Sequence, residues 1–264
     1  MGLFDLNAYC MGHISGNGID SGVNERILSF PKTFTAEAEA LGGIITKTAS
    51  GFPAVEYLFS EPDALLHLPS LEKCKPLTSI LEELESVLKE KKDKTVLLKV
   101  NGPYSVLASL IEPKLLYRWL TKHAEAIHKA LKTITAGLAA YIIEAFSRGA
   151  KIVSLADPYA NVTVLGERHY REFAAQYLVS LLGIIRSTPV SNGSRSAIQL
   201  IHLCPHNSIP LVQFGYMQTK RTGITRSAYI DALLDFSLHD GLTILGDQCI
   251  YGVNTEILTV LTFY

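Results

Sequence analysis

The sequence has little of what would tie it to several classes of function. It has no excess of charge: 24 Lys and Arg stand against 25 Asp and Glu, a net charge of −1. That balance gives no electrostatic reason for nucleic acid or an anionic membrane as partner. The one basic cluster, KEKKDK at 89–94, is interleaved with acids and reads as a solvated helix end. Cysteine is sparse, four in 264 residues at 10, 74, 204 and 249, which is not a disulfide framework. The longest apolar runs, around 134–146 and 174–185, fall short of the roughly 20 residues that span a bilayer. The start, MGLFDLNAYC, lacks the basic and continuously apolar segments of a signal peptide. Leu6 also stands where a myristoylation signal carries Ser or Thr. A reducing, cytoplasmic setting is therefore expected. There is no tandem repeat and no low-complexity linker, and no Gly-rich dinucleotide loop follows any strand-like run.

What remains is an ordinary globular composition, 48% hydrophobic and 19% charged. The length suits one domain over 1–264, because an α/β barrel takes about 250 residues. Residues 1–25 are glycine-rich, aperiodic and loop-like. After them, short β-like runs alternate with helical patterns, as in βα units around a parallel sheet. RILSFP is a first strand, and TAEAEAL a short helix stopped by Gly42 and Gly43. Ser79 and Glu82 form a capping box for a helix starting at Ser79, with apolar residues at 80, 81, 84, 87 and 88. TVLLKVNGPYS is a buried strand running into a Gly-Pro turn, and one long helical region covers 113–148. AKIVSLADPYAN is a strand ending at Asp157-Pro158, and ERHYREFAAQYLVSLLGIIRS a further helix. PVSNGSRS is a loop. The segment beyond residue 208 holds a strand or only loop at VQFGYMQTKRTGIT, a helix at SAYIDALLDFSLHDG, the strand LTILGDQC and a short terminal helix. This order favours a TIM-type (β/α) barrel over a doubly wound sheet.

One stretch carries chemistry. In SAIQLIHLCPHNSIP, residues 196–210, strand alternation puts Ile198, Leu200, His202 and Cys204 on one face. The last two lie at the carboxyl end, where barrel enzymes keep their active sites. Imidazole and thiolate two residues apart suit zinc, although a buried cysteine beside a hydrogen-bonded histidine is the plainer reading. Cys249 also ends an apolar strand. With His202 and Cys204 it would leave a tetrahedral zinc one open position, the catalytic arrangement. His206 is either a fourth ligand or a loop residue. Asn101, Gly102, Pro103, Tyr104 and Asp157 close the neighbouring strands. Asp157 either orients substrate or a ligating imidazole, or serves as a helix cap or turn residue before Pro158. His123 and His128, five positions apart, do not share a helix face for one metal and are surface or packing residues.

FTAEAEALGG, VNGPYSVLASL, GAKIVSLADPYAN and AIQLIHLC, in this order, resemble the uroporphyrinogen decarboxylase superfamily, and within it the corrinoid-dependent methyltransferases of the methylcobamide:coenzyme M type. The resemblance covers residues 30–208 and, less closely, 228–260. It implies a TIM-type barrel and a zinc held by a His-x-Cys pair and a later cysteine, here His202, Cys204 and Cys249. It implies a thiol acceptor bound to that zinc, and a corrinoid, of the methylcobalamin type, carried by a partner protein. Asp157 and Tyr104 are then the expected catalytic residues, and Asn101, Gly102 and Asp157 the corrinoid-side ones; a homo-oligomer stays open. The resemblance also admits a metal-free porphyrinogen decarboxylase. Decarboxylases proper hold their substrate's carboxylates with an arginine-rich amino-terminal segment, however, and MGLFDLNAYCMGHISGNGID has no arginine. A third reading is a non-catalytic barrel acting as a binding or assembly subunit. Pro205 departs from the glycine usual after His-x-Cys. The span from Cys204 to Cys249 is short for the remaining βα units, so the expected barrel is shortened or incomplete.

Overall fold

Most of the apolar runs read as strands line up in one sheet of the computed structural model, which describes residues 27–31, 35–47, 53–188, 190–192, 195–196, 198–221, 241–246 and 259–264. Its parallel members are β1 (Ile27–Phe30), β4 (Thr95–Asn101), β5 (Ile152–Ala156), β8 (Ile198–Leu203) and β10 (Gly241–Leu245). They lie side by side in that order. Beyond β10 the sheet continues with β11 (Thr259–Phe263) and β9 (Met217–Arg221), both joined antiparallel. β8 is thus the middle strand of seven, and among the described residues the sheet is open, with β1 and β9 at its edges.

The helices follow the strands: α1 (Ala36–Ala40), α2 (Lys75–Glu90), α3 (Pro103–Ser109), α4 (Pro113–Lys122), α5 (Ala124–Ser147), α6 (Val162–His169), α7 (Gln176–Ser187) and α8 (Pro205–Gln213). A π-helical turn, Tyr170–Ala175, joins α6 to α7. Two small hairpins, β2 (Ile45–Lys47) with β3 (Pro53–Val55) and β6 (Ser191–Asn192) with β7 (Arg195–Ser196), stand apart from the main sheet.

α5 organises the core. Ile127, Leu131, Ile134, Leu138 and Ile142 recur at helical spacing and are fully buried, each worth about 1.5–3 kcal/mol by transfer from water. By length and hydropathy α5 could also cross a membrane, but most of it is buried inside the protein. Gly137 lets a neighbouring 3-10 turn pack against it, because a Cβ there would stand 2.7 Å from the Cβ of Leu71.

Several expectations are corrected. The second helix starts at Lys75 with Pro76 in its first turn, not at Ser79; proline suits that position because the missing N–H is an orphan there anyway. Pro103 likewise opens α3 instead of a turn. The region 113–148 is two helices, broken at His123, whose φ of −135° and ψ of 38° are not helical. PVSNGSRS holds the β6–β7 hairpin where a loop was expected, while in VQFGYMQTKRTGIT the strand alternative holds, as β9. The chain ends in a strand where a helix was expected: TVLTF is five residues, β-branched and aromatic, a composition that favours a pleated surface. Residues 1–25, the predicted helix at SAYIDALLDFSLHDG up to residue 240, and Cys249 lie outside the described residues.

Candidate functional site

Alternation gives β4, β5 and β8 two different faces. Val96, Leu98, Val100, Val153, Leu155, Ile201 and Leu203 belong to the core shared with the helices. The inner, opposite face carries Leu97, Lys99 and Asn101 on β4, Ile152, Ser154 and Ala156 on β5, and Leu200 and His202 on β8. The register arranges these as rows. Leu97, Ile152 and Leu200 form an apolar row. Lys99, Ser154, His202 and, on β10, Leu245 form the next. Asn101 and Ala156 follow, and Cys204 comes two residues after His202, at the cap of α8.

His202 is 3% exposed, and its Nδ1 lies 3.0 Å from the Ser154 hydroxyl. Cys204 is half-buried, and its N–H donates to the Leu155 carbonyl at 3.0 Å. His202 thus lies near the carboxyl end of the central strand, and Cys204 follows it at the cap of α8. Among the described residues no third His, Cys, Asp or Glu joins them as a ligand group. His206 is exposed on α8. His128 is a packing residue, as expected: its ring stacks on Phe173 with centroids 4.8 Å apart, and its Nδ1 is 2.7 Å from the Tyr177 hydroxyl. His123 is exposed.

Polar residues not singled out from the sequence crowd the same face. Glu37, on α1 and 3% exposed, accepts from the Asn101 N–H at 2.9 Å and from its Nδ2 at 3.4 Å. Burial pushes the Glu37 carboxyl above its usual range. Burial also pulls the Lys99 ammonium down to about 8, against the pull of Glu37 the other way. The available signal was a polar residue interrupting an apolar strand: Lys99 in TVLLKVN and Ser154 in IVSLA. A buried polar group in such a run needs a partner.

Of the two readings of Asp157, the hydrogen bonds show a helix cap, on α3 instead of the turn before Pro158. Two positions after Leu155, it follows the helix-facing parity of β5, and it is 0% exposed. Its Oδ1 accepts from the Ser105 N–H at 2.6 Å and its Oδ2 from the Tyr104 N–H at 3.2 Å. It therefore caps α3, whose own cap residue is Gly102. A Cβ on Gly102 would stand 2.4 Å from Asp157 atoms, so the glycine makes room for this carboxylate. Burial raises Asp157 to about 6, even though the α3 hydrogen bonds work in the opposite sense. The Asp157 backbone N–H donates to Asn207 Oδ1 at 2.9 Å, and Asn207 Nδ2 donates back to its carbonyl at 2.9 Å. One aspartate thus ties together the ends of β4, β5 and β8. Tyr104 is 2% exposed within the helix-side core, and burial raises its phenol well above the usual range. Both residues therefore hold the rim from behind.

The site sits on a chain of recognisable kind. In fold it is similar to a methyltransferase from Methanosarcina mazei, with a TM-score of 0.57 at 18% identity over 79% of this chain. The match spans 58% of that protein's length. No curated protein matches the sequence. The likeness is one of fold, the TIM-type α/β barrel class, with the sheet open among the described residues. Residues 27–223, more than half of the chain, match the uroporphyrinogen decarboxylase (URO-D) family, and the chain belongs to that family.

Proposed function

We propose that this protein is a zinc-dependent methyltransferase that moves a methyl group between a corrinoid, carried by a partner protein, and a thiol or other acceptor. The observation that carries the reading is His202 on the inner face at the carboxyl end of the central strand, with Cys204 two residues on at the cap of α8. The donor chemistry fits zinc: an imidazole, its Nδ1 3.0 Å from the Ser154 hydroxyl, and a thiol two residues on are borderline-soft donors of the kind zinc takes. Cys249 is the proposed third ligand. It follows Leu245, the register partner of His202, by four positions.

Zinc bound there supplies Lewis acidity: a free thiol, with pKa about 8.5, is mostly protonated at neutral pH, and coordination deprotonates it. The chain's own residues set the geometry. Asn101, held by Glu37, and Gly102, packed against Asp157 and donating to the Ala156 carbonyl, shape the rim on the corrinoid side. Asp157 and Tyr104 act there as positioning residues through α3.

Metal content of the purified protein tests the reading. About one zinc per chain is expected, reduced in both Cys204→Ser and Cys249→Ser, with methyl transfer from methylcobalamin to a thiol abolished by a strong chelator. Absence of zinc under metal-replete conditions sinks the proposal. Loss in Cys204→Ser alone removes Cys249 from the ligand set. Porphyrinogen decarboxylation that survives the chelator would instead favour the lyase reading.

A further inference from the structure

We infer that Asn207 and Ser208 are the positioning residues for Cys204: two buried polar side chains in the first turn of α8 that tie it to the strand ends on either side of β8. The inference rests on the reading of Cys204 as a zinc ligand and adds the residues that set where it stands. Cys204 caps α8 through its backbone and not its thiol. Its carbonyl accepts from the Asn207 N–H at 2.8 Å and the Ser208 N–H at 3.0 Å, and its own N–H donates to the Leu155 carbonyl. Pro205 follows at the start of the helix, where it confines the preceding residue to extended backbone; Cys204 has φ −53° and ψ 132°. On the β5 side, Asn207 Oδ1 accepts the Asp157 N–H and its Nδ2 donates to the Asp157 carbonyl, both at 2.9 Å. On the β10 side, the Ser208 hydroxyl donates to the Gly246 carbonyl, just past Leu245, the register partner of His202.

The two ties differ in kind and act from opposite flanks. The amide of Asn207 meets both the donor and the acceptor of one residue, which fixes its orientation, since only Oδ1 accepts and only Nδ2 donates. Ser208 reaches its carbonyl because Gly246 has no side chain. A Cβ there would stand 2.8 Å from the Ser208 Cβ and 3.0 Å from the Leu203 carbonyl. Asn207 and Ser208 are 1% and 2% exposed, and both spend their polar atoms on backbone of the neighbouring strand ends. One tie alone would leave the turn able to swing about the end of β8. Two ties to strands that flank β8 in one sheet hold it from both sides. Cys204, at the head of that turn, thus takes its place from the sheet itself, and groups that orient a ligand in this way commonly matter nearly as much as the ligand.

The test uses the full chain, wild type beside Asn207→Ala and Ser208→Ala. Zinc affinity is read by competition with a chromogenic chelator. Iodoacetamide labelling of the metal-free protein is read peptide by peptide, at Cys204 and at Cys74, a half-buried thiol of the α2 cap that serves as the control. The expected result is zinc binding weakened about 10–100-fold in each variant, with labelling faster at Cys204 and unchanged at Cys74. A variant that loses stability in urea yet keeps wild-type zinc affinity and wild-type labelling overturns the inference while leaving the zinc site standing. So does labelling that rises equally at both cysteines, which marks general loosening. If the wild type binds no zinc, the functional reading fails instead, and labelling alone decides. A rise confined to Cys204 then supports the role of the pair, and an unchanged rate overturns it. Should Asn207→Ala not fold, Ser208→Ala, which removes a single oxygen, carries the same readouts.

Discussion

At the scale of single residues, Asp157 shows how one side chain can be legible in position while its role stays open between two readings. The strand ending at Asp157-Pro158 was evident from AKIVSLADPY, and so was its place at the carboxyl end of the sheet. The parity was available as well: residue 157 shares a face with 153 and 155, opposite Ser154. The partner was not available, because Gly102 and the α3 N–H groups lie more than 50 positions away in sequence. The placement has a measurable consequence. Asp157 is raised from 3.8 to about 6, so between those values the folded protein binds more protons than the unfolded chain, and stability falls as pH rises. The contribution is fully present below pH 3.8 and is lost as pH passes through about 6; two pKa units correspond to about 3 kcal/mol. Urea unfolding of wild type and Asp157→Asn from pH 4 to 7 should show the wild type losing stability relative to the variant across that window. Parallel pH profiles would refute the assignment. Gly102→Ala drives a methyl group into the same carboxylate, and about 1–3 kcal/mol of destabilisation is expected.

At the scale of elements, the helical and strand periods were readable wherever local pattern and burial agree. Leu81 and Leu84 of the expected α2 stripe are buried, with Leu77 joining them from the turn that the sequence reading missed, and β4, β5 and β8 emerge near their predicted bounds. The terminus failed because a five-residue apolar run is too short for its period to separate helix from strand. The link between α1 and β4 was also out of reach, since no local rule joins residues 37 and 99. Glu37 and Lys99 are each 3% exposed, and the Glu37 charge opposes the burial that lowers Lys99. Removing either group takes that compensation from the other in the interior, at a cost of about 1–3 kcal/mol. Glu37→Gln and Lys99→Met should each destabilise by that order, while the double variant recovers most of the loss. Additive losses in this double-mutant cycle would show that the two groups do not interact.

At the scale of the whole molecule, one continuous core joins layers that the sequence presents as separate units. Trp119, the single tryptophan, is 1% exposed on α4. It belongs to the same buried cluster as Leu77 of α2, Phe146 of α5, Leu155 of β5 and Ile201 of β8. β8, which carries His202, is the central strand of the sheet, so its position depends on β5 and β10 on either side and on the helices behind it. If this core is the cooperative unit, the indole and the backbone should report one event. Trp119 emission should begin blue-shifted and move red at the same denaturant midpoint as far-UV circular dichroism, the coincidence of probes that marks a single transition. If zinc is held at the carboxyl end of β8 as proposed, it would stabilise the whole unit by mass action, about 4 kcal/mol at a thousandfold excess over the dissociation constant, and raise both midpoints together. Two separated transitions, with Trp119 released before the sheet, would mean that the helices around α4 and α5 fold as a unit of their own. Zinc would then protect only the later transition.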